Sequence, residues 1–170
     1  MVALKAREVD RFLANPDFSA YRVVLIYGPD GGMVSEHADQ LAAASGIDLS
    51  DPFYLIRINA DDAAADPLRL VDETSTIGMF GGTRLIRISG TTRRDLAKAV
   101  KPVLENPPED AIVIIEAGDL KKSAGLRKLV ESNATGLAIP CYQDSDTALQ
   151  NLIQSEIIDA GISIDRETRT

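Results

Sequence analysis

Five short apolar runs alternate with helix-like stretches along this chain, and that alternation limits its fold more than any other feature. Arg22 to Tyr27, Phe53 to Ile58, Arg84 to Ile88, Ala111 to Ile115 and Gly136 to Cys141 each read as a strand. Val23-Val24-Leu25-Ile26 and Ala111-Ile112-Val113-Ile114-Ile115 are continuous apolar runs, the pattern of strands buried on both faces. Strand and helix in turn call for a mostly parallel sheet with helices on both faces.

The intervening segments carry helical spacing and helix punctuation. Val9, Phe12 and Leu13 mark a short first helix, stopped by Asn15-Pro16. A second runs from Met33 to about Ala44, before Gly46. Asp66-Pro67 opens another, with Asp as N-cap and Pro at the first helical position. Leu96, Val100, Val103 and Leu104 share one face of the next, and Pro102 within it predicts a kink or an early end. Leu126, Leu129 and Val130 give a further helix, while Ala60 to Ala65 reads as an acidic, alanine-rich link. After the fifth strand, Leu149, Leu152, Ile153 and Ile157 form a helical stripe that Gly161 would cap. The sequence is therefore read as one α/β domain over 1–143, followed by the truncated beginning of a small helical domain over 144–170.

Composition narrows the function. A length of 170 residues with 45% hydrophobic residues can bury a real core. The net charge of −8 argues against a phosphate-binding surface spread over the chain, and weak or no DNA binding by the chain alone is expected. One Cys permits neither an internal disulfide nor a cysteine metal cluster, which makes a reducing cytoplasm the expected setting. Met1 to Glu8 lacks the apolar core of a signal peptide, and no apolar run is long enough to span a membrane.

The first strand, turn and helix occupy the place of a phosphate-binding loop. Laid on the pattern G-x-x-x-x-G-K-[ST], Gly28 and Ser35 match the first and last positions. Met33 stands at the second glycine and Val34 at the lysine, whose charge valine cannot supply to the phosphates. The third strand ends Ile88-Ser89-Gly90, with no acid for a metal ion. The loop therefore reads as degenerate, and neither a cofactor nor a metal is expected. His37 has no other His beside it and reads as a surface residue, while Cys141 reads as a small apolar residue ending a buried strand. Asp61, Asp62 and Asp66 miss the spacing of a calcium loop and read as solvated. The basic pairs Arg93-Arg94 and Lys121-Lys122 read as mostly solvated, with phosphate contact a minor alternative. No catalytic constellation emerges.

What remains is the stretch Ile77-Gly78-Met79-Phe80-Gly81-Gly82-Thr83-Arg84. A helix-like run ends there and a strand begins, with two large apolar side chains flanked by glycines between them. Such a pair either tucks under the sheet or is held out for a partner's pocket.

Taken in order, these segments resemble the delta subunit of the bacterial DNA polymerase III clamp loader. Val24-Leu25-Ile26-Tyr27-Gly28-Pro29-Asp30 resembles its first strand and lysine-free loop, and Gly78 to Ile86 its "SLFGxRRLV" segment. Pro107-Pro108-Glu109-Asp110-Ala111-Ile112-Val113-Ile114 resembles a later strand of that family. Leu120 to Leu129 is similar to its "LDKRxKLxKxL" segment, and Leu149 to Ile162 to the helix opening its second domain. The resemblance implies an AAA+-like fold of five parallel strands that does not use ATP. It further implies a non-catalytic subunit of the DNA-directed DNA polymerase (nucleotidyltransferase) holoenzyme, active in DNA replication. Its first domain would bind the sliding clamp (the beta subunit) and help open the ring. Ile77, Gly78, Met79 and Phe80 would form the clamp-binding segment, with Met79 where Leu is commoner and Gly78 where Ser is frequent. The other implied partners are the gamma/tau and delta prime subunits, and DNA through the assembled complex. The alternative is an atypical P-loop nucleotide-binding or NTPase domain.

Overall fold

The computed structural model describes residues 4, 6–78, 81–90 and 93–142. The strands are β1 (Val23–Tyr27), β2 (Leu55–Asn59), β3 (Arg84–Ser89), β4 (Ala111–Ala117) and β5 (Gly136–Pro140). The helices are α1 (Ala6–Ala14), α2 (Gly31–Ala44), α3 (Ala60–Ala65), α4 (Pro67–Ser75), α5 (Ala97–Glu105) and α6 (Gly125–Ser132). The strands form one sheet in the order β2-β3-β4-β1-β5, and every pairing is parallel. β1 thus lies between β4 and β5, with Val23 opposite Val113 on one side and Gly136 on the other. The result is the α/β fold, a parallel sheet with helices on both faces, that the alternation of strand and helix predicts.

The side-chain period of two sorts the sheet into two cores. Val23, Leu25 and Tyr27 of β1 join Ile86, Ile88, Val113 and Ile115 on one face, covered by buried residues of α3, α4, α5 and α6. Val24 and Ile26 join Leu85, Ile112, Ile114, Leu137 and Ile139 on the other, under Val9 and Leu13 of α1 and Val34, Ala38 and Leu41 of α2. β1 is buried along its whole length because both faces are roofed and both edges paired.

Two local expectations change. Ala60–Ala65 is the helix α3 rather than a link. The Asn59 side chain accepts from the Asp61 amide at 2.9 Å, two acids sit in the first turn beside the positive helix end, and alanine supplies the rest. Asp66 does not cap α4 with its side chain; its amide donates to the Asp62 carbonyl of α3, and Pro67 takes the first position. Pro102 lies inside α5, which runs on to Glu105 before ending. The division at 143/144 and the helical stripe beyond it lie outside the described residues. No helix among the described residues is long and apolar enough to cross a membrane.

Candidate functional site

Two places in this fold can carry function, at opposite ends of the sheet. The first is the loop between β1 and α2, at the carboxyl ends of the strands, where open α/β sheets bind ligands. Gly28 is buried there for a packing reason: a Cβ would overlap the Cys141 carbonyl. The Cys141 amide donates to the Tyr27 carbonyl at 2.7 Å, so the chain leaving β5 packs directly against the first residue of the turn.

The helix end behind it is already neutralised. The Asp30 carboxylate caps α2, accepting from the amides of Gly32 at 3.0 Å and Met33 at 3.1 Å. These are amides that a bound phosphate would need, and the carboxylate adds a like charge in its path. Val34, at the lysine position, is 3% exposed and part of the core. Ser35, at the position that holds a metal ion in P-loops, has its hydroxyl 3.4 Å from Arg87 Nη2. Arg87 rises from β3 beneath α2 and pairs with Glu116 of β4 and Asp39 of α2. The Glu116 carboxylate, with help from Asp39, holds the guanidinium still more firmly protonated than usual against the cost of burial. A fixed protein cation thus ties α2 to the sheet beside Ser35.

His37 is half-buried on α2, with Nδ1 3.1 Å from Cys141 Sγ, and not the free surface residue its isolation in sequence suggests. Cys141 is 1% exposed, as its place at the end of a buried strand predicts. Burial, with the Asp30 charge behind it, pushes the thiol up to about 11, so it is no nucleophile at neutral pH. Among the described residues no three His, Cys, Asp or Glu side chains gather to hold a metal.

Beyond the ends of β3 and β4 lies an open cleft of about 480 Å³ lined by Arg93, Arg94, Asp95, Glu116 and Asp119. Its acids face inward commitments: Glu116 holds Arg87, Asp119 accepts from the Tyr142 hydroxyl at 3.0 Å, and Asp95 accepts from the Ala97 amide at 2.9 Å. Arg93, Lys121 and Lys122 are exposed, as their sequence setting predicts.

The second place is the bend between α4 and β3, at the amino ends of the strands. Ile77 is 77% exposed, ahead of Leu68 at 68% and Phe53 at 57%. Gly78 is half-buried beside the Tyr54 ring, and its carbonyl accepts from the Gly81 amide at 2.9 Å. Gly81 and Gly82 have φ of +71° and +92°, a left-handed backbone that a side chain would strain. Met79 and Phe80 lie outside the described residues. Arg84 anchors the bend from below: it is 7% exposed and bonded to the carbonyls of Phe53, Glu73 and Thr76 and to the Glu73 carboxylate.

Neither arginine stood out from sequence as a functional residue. The available signal was two cations inside "Arg84-Leu85-Ile86-Arg87-Ile88", a strand otherwise too apolar to be solvated, where a charge must find partners.

No family model matches the chain, and no curated protein does. Solved structures do. The Bacillus subtilis DNA clamp loader delta protein is similar with a TM-score of 0.60 at 16% identity, over 89% of this chain and 48% of that one. A DNA polymerase III gamma subunit-related protein of Thermotoga maritima is similar with a TM-score of 0.55 at 14% identity, over 88% of this chain and 49% of that one. The chain therefore spans about half the length of each, and at such identity the likeness is one of fold.

Proposed function

We propose that residues 1–143 are the clamp-binding domain of a delta-type clamp-loader subunit. In this reading Ile77, Gly78, Met79 and Phe80 dock on the sliding clamp, the beta subunit of a bacterial replicative polymerase. The observation that carries it is the exposure of Ile77 on a bend whose backbone is firmly anchored. An apolar side chain held out on an anchored backbone can fill a partner's pocket at little ordering cost.

The mechanism needs no bond chemistry. Burying each large apolar side chain of the segment contributes roughly 1.5–3 kcal/mol before ordering costs. A closed ring samples strained and open interfaces. A domain that binds the sprung form more tightly shifts that population by its differential affinity alone. The domain acts within an assembly containing gamma/tau and delta prime subunits, meets DNA only through that assembly, and works in the cytoplasm as a subunit of the polymerase holoenzyme. Its nucleotide loop is inert in this reading, a view supported by Asp30 on the α2 amides and Val34 in the core.

The test is a titration of the chain with the sliding clamp of the same organism. Binding in the micromolar range or tighter, lost on Phe80→Ala or Ile77→Ala with the melting curve unchanged, supports the reading. No binding at about 100 μM clamp, weaker than roughly −5 kcal/mol, ends it.

A further inference from the structure

Arg84 opens β3, yet its side chain serves the bend before it more than the sheet. Nε donates to the Phe53 carbonyl at 3.1 Å, Nη1 to the Glu73 carbonyl at 2.7 Å and the Thr76 carbonyl at 3.2 Å, and Nη2 to the Glu73 carboxylate at 3.0 Å. Three of these four acceptors are backbone groups, drawn from two separate stretches of chain. Glu73 and Thr76 belong to the end of α4, where a helix leaves its last carbonyls without internal partners and its dipole favours a cation. Phe53 belongs to the approach to β2, and the next residue, Tyr54, lies against the other end of the bend. A Cβ added to Gly78 or Gly82 would stand 3.9 Å or 3.5 Å from that ring.

One planar guanidinium therefore fixes the carbonyl of Thr76, the residue that hands the chain to Ile77. Its fork satisfies several acceptors at set angles, which an ammonium on a flexible stem cannot do.

We propose that Arg84 is the positioning residue of the partner-binding segment: by holding the end of α4 against the start of β2 it sets the direction in which Ile77 leaves the domain. The identity of the partner rests on the clamp-binding reading. The tether does not, and it has a readout of its own.

The decisive variant is Arg84→Lys, which keeps the charge and its pairing with Glu73 but loses the fork. Two measurements apply to the same protein: native-state hydrogen exchange at the Thr76 and Gly81 amides, which are bonded to the Asp72 and Gly78 carbonyls, and titration with the sliding clamp. The expected result is at least tenfold faster exchange at these two amides, unchanged exchange in β1 and β4, and a clamp Kd raised at least tenfold. If Arg84→Lys does not fold, Glu73→Ala removes the half-exposed arm of the tether and should move both readouts in the same direction by a smaller factor. Exchange and Kd both at wild-type values in the folded variant overturn the proposal. Faster exchange with an unchanged Kd also overturns it, because the tether would then not govern docking. Wild-type protein that fails to bind the clamp sinks the partner assignment instead, while the exchange data still decide whether Arg84 holds the bend.

Discussion

Arg84 and Arg87 stand three residues apart on β3, on opposite faces of the sheet, and are almost equally buried at 7% and 8% exposed. They differ in what they hold. Arg87 meets two carboxylates, from β4 and α2, and ties α2 to the sheet near the carboxyl ends of the strands. Arg84 meets mostly backbone carbonyls, and what it fixes is a piece of chain that ends in an exposed isoleucine. The same side chain type joins two elements at one end of the sheet and holds loop carbonyls at the other. A buried cation is thus defined by its acceptors: carboxylates make it a bolt between elements, and carbonyls make it a guide for the path of the chain.

The contrast can be broken most forcefully at Arg87. Arg87→Ala leaves Glu116, whose side chain is 12% exposed, without its cation, and should cost about 3–5 kcal/mol by denaturant unfolding. Replacing both partners together, Arg87→Met with Glu116→Leu, should recover most of that loss, since a shape-matched apolar pair needs no counter-charge. Recovery would show a bolt; failure to recover would mean that the charge itself does something the packing does not.

The outward end predicts the opposite pattern. Ile77→Ala and Phe80→Ala should leave thermal unfolding nearly unmoved, while each weakens clamp binding by about 2 kcal/mol, as hot-spot residues do. A collapse of stability with affinity per folded molecule preserved would place these side chains in the core and remove the distinction between the two ends.

A gentler probe compares the crevice with itself across pH. Burial raises the Cys141 thiol from 9.0 to about 11 and the Tyr27 phenol from 10.0 to about 12. In the unfolded chain both ionise earlier, so above about pH 9 the unfolded state holds fewer protons than the folded one and stability falls as pH rises. The full contribution is present below pH 9 and is lost through the window up to about 12. Denaturant midpoints taken from pH 8 upward should show the decline, and Cys141→Ala should delay its onset by about one unit, to where Tyr27 begins. The smallest effect is expected at Asp30. Asp30→Ala removes the α2 cap, costs about 1 kcal/mol, and still yields no magnesium-dependent ATP binding by calorimetry, because Val34 cannot stand in for the lysine. Micromolar ATP affinity in either the wild type or this variant would reopen the inward end as a nucleotide site.

The strands were legible because burial on two faces leaves little choice of residue: Val23-Val24-Leu25-Ile26 can hardly be anything else. Sequence also shows that Val34 stands where the motif requires its one charge, and the structure places that side chain in the core. Sequence did not reveal α3, although Asn59 before two acids and three alanines is a helix start once the end of β2 is known. Nor did it reveal the partners of Arg84 or the meeting of His37 with Cys141, because those contacts join residues far apart in the chain, and only the strand order brings them together. Ile77 was placed in the candidate partner-facing segment from sequence, and the structure leaves it exposed.

The strand order also has a consequence for the order in which the molecule is made. β1 emerges from the ribosome first of the five described strands, yet both of its neighbours, β4 and β5, come last among them. Until Ala111–Ala117 and then Gly136–Pro140 have been synthesised, the most hydrophobic strand of the sheet has no edge to pair with. Chains stalled short of residue 136 carry Val23–Tyr27 with one side open, a template for sticking to other chains. This sheet should therefore depend on holding factors during translation until the fifth strand clears the exit.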